Sequence, residues 1–584
     1  MSDNDLLKDK HIPIFTLFRR TWTYIKKEIK SFVLAFVLIF FNVFSSVSLP
    51  RLTGYFTDYI MTDSPILKYV LLIASALFVL SVLSPIFLYI ETRILTKAGQ
   101  RIVYSLRMEV FAHIENMSQN QFNDMAVGSL VTRVCSYTSQ LSEFFTNTMV
   151  KMARNLLTVI TIYIWMLILS IQLGLILSLV VLLIFLISFI FSRQAYKIFS
   201  KERSQISDIN TYLNESLSGM KVVQMFNQEE RFKKTFYKKN HDYFKTRFNV
   251  TIAFSIYRPL VSLIYVLSIA LIIYSGAYLS LPAGTIVTFY LFLDYFFEPI
   301  QQLADELNNI TRATTAIERL YNLLDITPEV LDKEDAIEVN EFKGKIEFKH
   351  VYFAYEKENW VLKDVSFVIN PKETVAFVGA TGSGKTTILS LIVRNFEIQK
   401  GQILIDDIDI RNIKISSLRK AIGQMLQDVF LFTGSVKDNI TLFDDSYSLE
   451  EINNAVNYVN ASTFINGNDR SLESKIEERG ENFSAGERQL LSFARTVLAK
   501  PQIMILDEAT ANIDTETEVI IQSSLEKMKN IGTMLIVAHR LSTIQHSDKI
   551  FVLSHGKIIE EGNHQSLLRK RGYYYNLYKL QFDK

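Results

Sequence analysis

The chain has 584 residues, several times the ~150 of one domain, so more than one domain is expected. Hydrophobic residues make up 49% and charged residues 21%, which excludes disordered and fibrous classes, and the charge-free runs all fall within the first 310 residues, as in a chain half membrane and half soluble. With 62 basic against 60 acidic residues, nothing draws the chain globally to nucleic acid, and the single Cys135 excludes an intramolecular disulfide framework or a CxxC site, as suits a reducing cytosol.

In chain order, residues 14–30 come first, with Arg19, Arg20, Lys26, Lys27 and Lys30. They read equally as an interfacial amphipathic helix or as a juxtamembrane basic patch. Two uncharged runs, 31–50 and 69–90, each match the ~20 helical residues that cross a ~30 Å hydrocarbon core. Residues 155–192 carry no charge over roughly 57 Å of helix and must fold back once, with the turn expected at 170–174. Residues 259–293 are again too long for one crossing, and Gly276, Pro282 and Gly284 supply the break. The pattern predicts six spans, and the late, long first apolar run argues against a secretory signal peptide.

Residues 91–154 carry seven Lys and Arg and residues 193–258 carry thirteen, whereas the two short turns carry none. By the positive-inside rule the long loops face the cytosol, and both termini follow them. These loops are amphipathic and Gly-poor, so they are expected to be helices extending from the membrane. In the sixth span Asp294 and Glu298 stand at i and i+4, about 16 Å down the helix from Ala283. Intramembrane acids require a water-filled cavity or a partner. Two readings are open: a wall of a substrate cavity that favours cations, or a structural pairing, for instance with Arg258.

After Asp325 a charged linker, 326–341, leads into short β-rich runs alternating with helical ones, the grammar of βαβ units and a parallel sheet. A buried strand, 374–378, is followed at once by Gly379, Ala380, Thr381, Gly382, Ser383, Gly384, Lys385, Thr386 and Thr387 and then by a helical stretch. This is a P-loop in its strand-loop-helix context: backbone N–H groups cradle phosphate, Lys385 reaches the β- and γ-phosphates, and the Thr386 hydroxyl ligates Mg²⁺. The apolar run 503–506 ends in Asp507, placed to hold Mg²⁺ through water, and Glu508, placed to polarise the attacking water.

Between the two stands Phe483-Ser484-Ala485-Gly486-Glu487-Arg488-Gln489, which resembles the LSGGQ signature of ATP-binding cassette (ABC) proteins. With six spans upstream, the chain resembles a half-transporter of the type IV ABC exporters over nearly its whole length. The resemblance implies a six-helix transmembrane domain (31–325), preceded by an elbow region (1–30), fused through the linker to an α/β P-loop nucleotide-binding domain (342–584). It implies that Tyr355 stacks on adenine, that Gln427 is the Q-loop residue touching Mg²⁺, that Ser484 and Gly486 cap the ATP of the other subunit, that Asp514 is the D-loop residue, and that His539 is the switch histidine on the γ-phosphate. Residues 122–128 and 219–226 fall where coupling helices are expected.

The signature departs from the family pattern at Ala485 and Glu487. A Cβ at 485 crowds the backbone approach to phosphate, and Glu487 adds a like charge. This favours a heterodimer whose partner carries the intact signature, with a homodimer as the alternative. The implied function is ATP-driven export of hydrophobic or amphipathic, drug-like compounds across the cytoplasmic membrane. Alternatives are a lipid flippase, a peptide exporter, or a non-transporting regulator or channel.

Overall fold

A computed structural model describes residues 13–62, 65–356, 359–426, 428–465, 470–507, 515–537 and 544–582. The chain divides into two compact units, one holding 127–325 with the helices before Ile114, the other holding 114–126 with the residues from Ile326 onward.

The first unit is helical. Helix α1 (Ile14–Lys27) follows Pro13 and ends at Glu28, short of Lys30. A helix occupies most of this segment. Its Leu17 is buried, Arg20 donates twice to the Asp325 carboxylate at 2.9 and 2.8 Å, and the Tyr24 hydroxyl donates to Glu109.

Long helices follow: α2 (Ile29–Ile60) and α3 (Leu67–Glu115), then the short α4 (Gln119–Asn123) of the second unit, then α5 (Val127–Leu169), which includes two π turns at Arg133–Tyr137 and Phe144–Thr148. They continue as α6 (Ile171–Ser218), the short α7 (Met220–Met225), α8 (Glu229–Tyr278) and α9 (Ala283–Leu324). Among the described residues α2, α3, α5 and α8 are long and apolar enough to cross a membrane, and α6 opens with the apolar run Ile171–Ile184. The helices extend well past the apolar runs, as a hydrocarbon-spanning segment continued by an amphipathic one must.

The turns are tighter than expected. A single residue, Ser170, in extended conformation, separates α5 from α6, and its hydroxyl caps the new helix by accepting the Leu173 N–H. At the second break only Pro282 acts as foreseen, as the residue before α9. Gly276 and Gly284 lie inside helices, and Gly284 has a different task. A Cβ there would come within 1.8 Å of the Gly54 carbonyl oxygen, so the backbones of α2 and α9 touch. The Asp58 carboxylate accepts the Gly284 N–H at 2.6 Å, an acid at a helix start where the dipole favours it.

A charge pair is buried in this unit: Glu91, wholly inaccessible, accepts from Arg154 Nη2 at 2.5 Å. Among the described residues, Glu91 Oε2 and Arg154 Nε have no hydrogen-bond partner. The apolar core gathers around Ile162, Leu173, Ile272, Phe289 and Phe292.

The second unit contains the sheets. β1 (Ile346–Ala354) and β2 (Trp360–Ile369) pair antiparallel, joined by a link too short for a crossover, and β4 (Lys400–Ile405) and β5 (Ile408–Asp409) complete a sheet in the order β2-β1-β4-β5. The expectation of a parallel sheet therefore applies only to the second one. It combines β3 (Thr374–Gly379), β6 (Ile422–Met425), β9 (Ile503–Asp507), β10 (Thr533–Val537), β11 (Lys549–Ser554) and β12 (Lys557–Gly562) in the order β12-β11-β3-β10-β9-β6, parallel except for β12, while β7 (Gly434–Ser435) and β8 (Lys475–Ile476) pair separately as an antiparallel ribbon. Parallel strands covered on both faces read as unbroken apolar runs, and β9 and β10 do. Helix α4 is built into this unit: Ser118 and Gln121 form a capping box, and Gln121 Nε2 donates to the Thr327 carbonyl at 2.8 Å. It covers 119–123 and overlaps the segment 122–128 only at its end.

Candidate functional site: a phosphate-binding loop and a membrane cavity

In the parallel sheet β3 and β9 flank β10, so the carboxyl ends of all three strands lie at one edge. In register, Val537 of β10 lies beside Phe377 on one side and Asp507 on the other. The P-loop leaves β3 and the Asp507 carboxylate ends β9. Adjacent carboxyl ends of parallel strands are where an open α/β sheet binds a ligand.

The loop is shaped by its glycines. Gly384 has φ of 104°, closed to most L side chains, and turns the chain into the helix Lys385–Ile392. Gly382, at φ of 78°, has open space where a Cβ would be, as a loop wrapping a ligand requires. Lys385 is buried, and its ammonium donates to the carbonyls of Gly379 and Ala380 at 2.8 and 3.0 Å, curling back over the loop. Ser383 Oγ is buried with no hydrogen-bond partner among the described residues, a donor free for an anion. Ala380, Thr381, Thr386 and Thr387 complete the loop and the helix start, with Thr386 exposed and Asp507 half-buried at the end of β9, beyond β10. These oxygen donors suit a hard cation such as Mg²⁺ carried in with phosphate.

Tyr355 stands just beyond β1, half exposed, with its hydroxyl 3.0 Å from Thr387 Oγ1 and its ring edge-on to Phe353 and Phe396. Sequence reasoning missed what holds it. Gln399 brackets the preceding residue, its Oε1 accepting the Ala354 N–H at 3.0 Å and its Nε2 donating to the Ala354 carbonyl at 2.9 Å. Nothing in the spacing of residues 45 apart signals that contact.

The helix Ala485–Leu498 begins with a full capping box. Ser484 Oγ accepts the Glu487 N–H at 3.2 Å and the Glu487 carboxylate accepts the Ser484 N–H at 2.8 Å. The carboxylate expected to present a like charge is engaged on its other oxygen by Arg470 Nη1 at 2.9 Å. Arg470 was also missed; it comes from a loop 17 residues away. Gln427, Glu508, Asp514 and His539 lie outside the described residues.

These features together, a P-loop, a strand-end acid one strand away and a capped helix between them in sequence, meet two family models. One, the ABC transporter transmembrane region, matches residues 31–300, and the other, ABC transporter, matches residues 362–511. A relative from Streptococcus pneumoniae, the putative ABC transporter ATP-binding protein exp8, is 35% identical, with 97% of each chain covered. The chain belongs to the ABC transporter family. A Bacillus subtilis relative, the probable multidrug resistance ABC transporter ATP-binding/permease protein YheH, is 36% identical over 86% of this chain and 75% of its own. The fold is that of a bacterial Atm1-family ABC exporter with ATP bound, at a TM-score of 0.79 and 24% identity over 96% of this chain and 98% of the other. This protein is thus an ATP-driven exporter, a membrane-spanning region fused to an ATP-binding domain whose ATPase activity is coupled to transport.

The exporter's helical unit holds a cavity of about 630 Å³ lined by Tyr257, Arg258, Val261, Ser262, Tyr265, Asp294, Phe297 and Glu298. Asp294 and Glu298, four residues apart on α9, are among these lining residues. The Tyr265 hydroxyl donates to Asp294 Oδ1 at 2.6 Å, and Glu298 Oε1 accepts from Gln302 Nε2 at 2.9 Å, itself bound to Asn155. Among the described residues Arg258 forms no ion pair with either acid; its guanidinium stands over the Phe254 ring at 5.8 Å.

Proposed function

We propose that the exporter moves amphipathic organic cations out of the cytosol, and that the cavity between α8 and α9 is where they are recognised. The observation that carries this is the lining itself: two carboxylates against one arginine, with two tyrosines and a phenylalanine, around about 630 Å³, room for a drug-sized molecule. Carboxylates answer a positive charge, and aromatic faces answer both the charge and the apolar body attached to it. Each acid already accepts a neutral donor, Tyr265 or Gln302, which holds its carboxylate in place without consuming its charge.

In this reading residues 31–325 span the cytoplasmic membrane, with 1–30 ahead of them, the linker 326–341 after them, and the nucleotide-binding domain 342–584 in the cytosol; the basic long loops support that orientation. Tyr355 stacks on adenine, and residues 379–387 with Lys385 grip the phosphates. Thr386, Gln427 and Asp507 would hold Mg²⁺, which supplies charge neutralisation at the phosphates when bound. Glu508 polarises the attacking water, His539 contacts the γ-phosphate, and Asp514 lies at the junction with a second half-transporter, whose bound ATP Ser484 and Gly486 cap. That partner is a different chain in the favoured reading, and Ala485 is the support for it; the paired Glu487 no longer adds any.

The test is ATP-driven uptake into inverted membrane vesicles, with a cationic dye beside a neutral one. Asp294→Asn with Glu298→Gln should lower cation transport several-fold and leave the neutral dye near wild type. Equal loss of both dyes with a lowered melting temperature would reject the cavity reading.

A further inference from the structure

An acid at the third helical position of the signature is chemically awkward. The helix Ala485–Leu498 offers its first N–H groups and its positive dipole end, the equipment for an anion. The Glu487 N–H is already satisfied by Ser484 Oγ, while among the described residues the N–H groups of Ala485 and Gly486 have no intrachain acceptor. A free carboxylate there would repel the same anion those groups attract.

Arg470 resolves the conflict. Its Nη1 donates to Glu487 Oε1 at 2.9 Å, its Nη2 donates to the Asn482 carbonyl at 2.9 Å, and its guanidinium lies over the Phe483 ring at 4.2 Å. Phe483 is buried, so the arginine rests on a fixed platform. Asn482 is fixed in turn, accepting the Glu477 N–H and donating to the Lys475 carbonyl. The ion pair keeps Glu487 turned back into the capping box, with Oε2 on the Ser484 N–H. Its two side chains are only 34% and 23% accessible, so the pair is sheltered enough to persist in salt.

We propose that Arg470 is a positioning residue of the signature: by neutralising and pinning Glu487, it leaves the helix start at Ser484, Ala485 and Gly486 able to receive the terminal phosphate of ATP held by a second subunit. The inference rests on the signature reading above. Arg470 touches neither nucleotide nor metal; it acts through Glu487.

The experiment uses the full-length transporter purified as its native dimer. Arg470→Met, which keeps apolar cover on Phe483 while removing the charge, should raise the ATP concentration for half-maximal hydrolysis about three- to tenfold. It should also lower vanadate-trapped nucleotide in proportion. Adding Glu487→Gln should restore both to within about twofold, because the charge needing compensation is gone, whereas a purely structural loss would not be rescued. An unchanged ATP dependence in Arg470→Met, or a loss that Glu487→Gln fails to relieve, would overturn the proposal. Photolabelling with azido-ATP reads the same variants in a dimer that turns over slowly. A wild-type dimer that neither labels nor hydrolyses would count against the ATP-site reading instead.

Discussion

The phosphate-binding loop and the membrane cavity make opposite demands on sequence. The loop works through its backbone: Gly382 and Gly384 sit at positive φ, Lys385 is buried, and the neighbours that a Cβ at Gly379 or Gly384 would strike lie within 3 Å. Few residue types satisfy such geometry, so the site is written locally, within nine consecutive residues. The cavity is assembled from side chains of two helices whose lining residues run from 257 to 298, and many apolar or aromatic residues would fill most of those positions equally well. Only its two acids stand out, because a charge in hydrocarbon is costly enough to need a reason.

The comparison is sharpest where the expected loss is largest. Glu508→Gln should leave ATP binding intact and cut hydrolysis by ~10²–10⁴-fold, since the amide keeps the shape but cannot act as the water-polarising carboxylate. Steady-state ATPase beside azido-ATP labelling checks it; turnover within a few-fold of wild type would remove Glu508 from that role.

The helical unit should break on stability rather than on turnover. Arg154→Ala leaves the inaccessible Glu91 carboxylate uncompensated, for an expected cost of about 3–5 kcal/mol. Replacing both residues by apolar ones of similar size, Glu91→Leu with Arg154→Met, should recover most of that. Thermal unfolding in detergent, followed by monodispersity, distinguishes the two, and a single variant as stable as the double would show that Glu91 does not depend on Arg154 for compensation. Smaller is Gly54→Ala, whose new Cβ would meet Thr288 Oγ1 at 1.9 Å and the Gly284 carbonyl oxygen at 2.2 Å. Forcing α2 away from α9 should cost about 1–3 kcal/mol. The same substitution at Gly128, with nothing within 4 Å, provides the control and should change little.

What could be read in advance follows the same division. The lengths of the apolar runs gave the helices, because hydrocarbon thickness sets a length that composition must honour. The turns were less legible: one extended serine suffices at 170, and Gly284 proved to be a helix-contact glycine rather than a breaker. The antiparallel sheet is hidden in the sequence because its strands β4 and β5 follow the helix after β3 and so share the strand-helix alternation of the parallel sheet. Arg470 and Gln399 were invisible for a common reason. Each acts across a loop closure on a backbone or carboxylate group, and no periodicity links an arginine to a capping box 17 residues on.

The smallest effect tests whether the adenine end of the site is as local as its phosphate end. Tyr355 is only half buried, so its ring is free to drift unless the strand before it is fixed. Gln399 supplies two hydrogen bonds to Ala354 that close like a ladder rung onto the end of β1. Each such bond contributes about 0.5–1.5 kcal/mol, and the strand end near the surface recovers part of that from water. Gln399→Ala should therefore raise the KM for ATP by about two- to fivefold, as a loosened tyrosine stacks less of the time. The kcat should move less, because in the proposed site the phosphates and the attacking water fall to other residues. Tyr355→Ala sets the upper bound, as the loss of a base-aromatic stack is worth about 1–3 kcal/mol. In the double variant the Gln399 effect should vanish, since nothing remains to position. If Gln399→Ala still weakens ATP binding without Tyr355, the glutamine acts on the sheet as a whole, and the adenine end is as distributed as the membrane cavity.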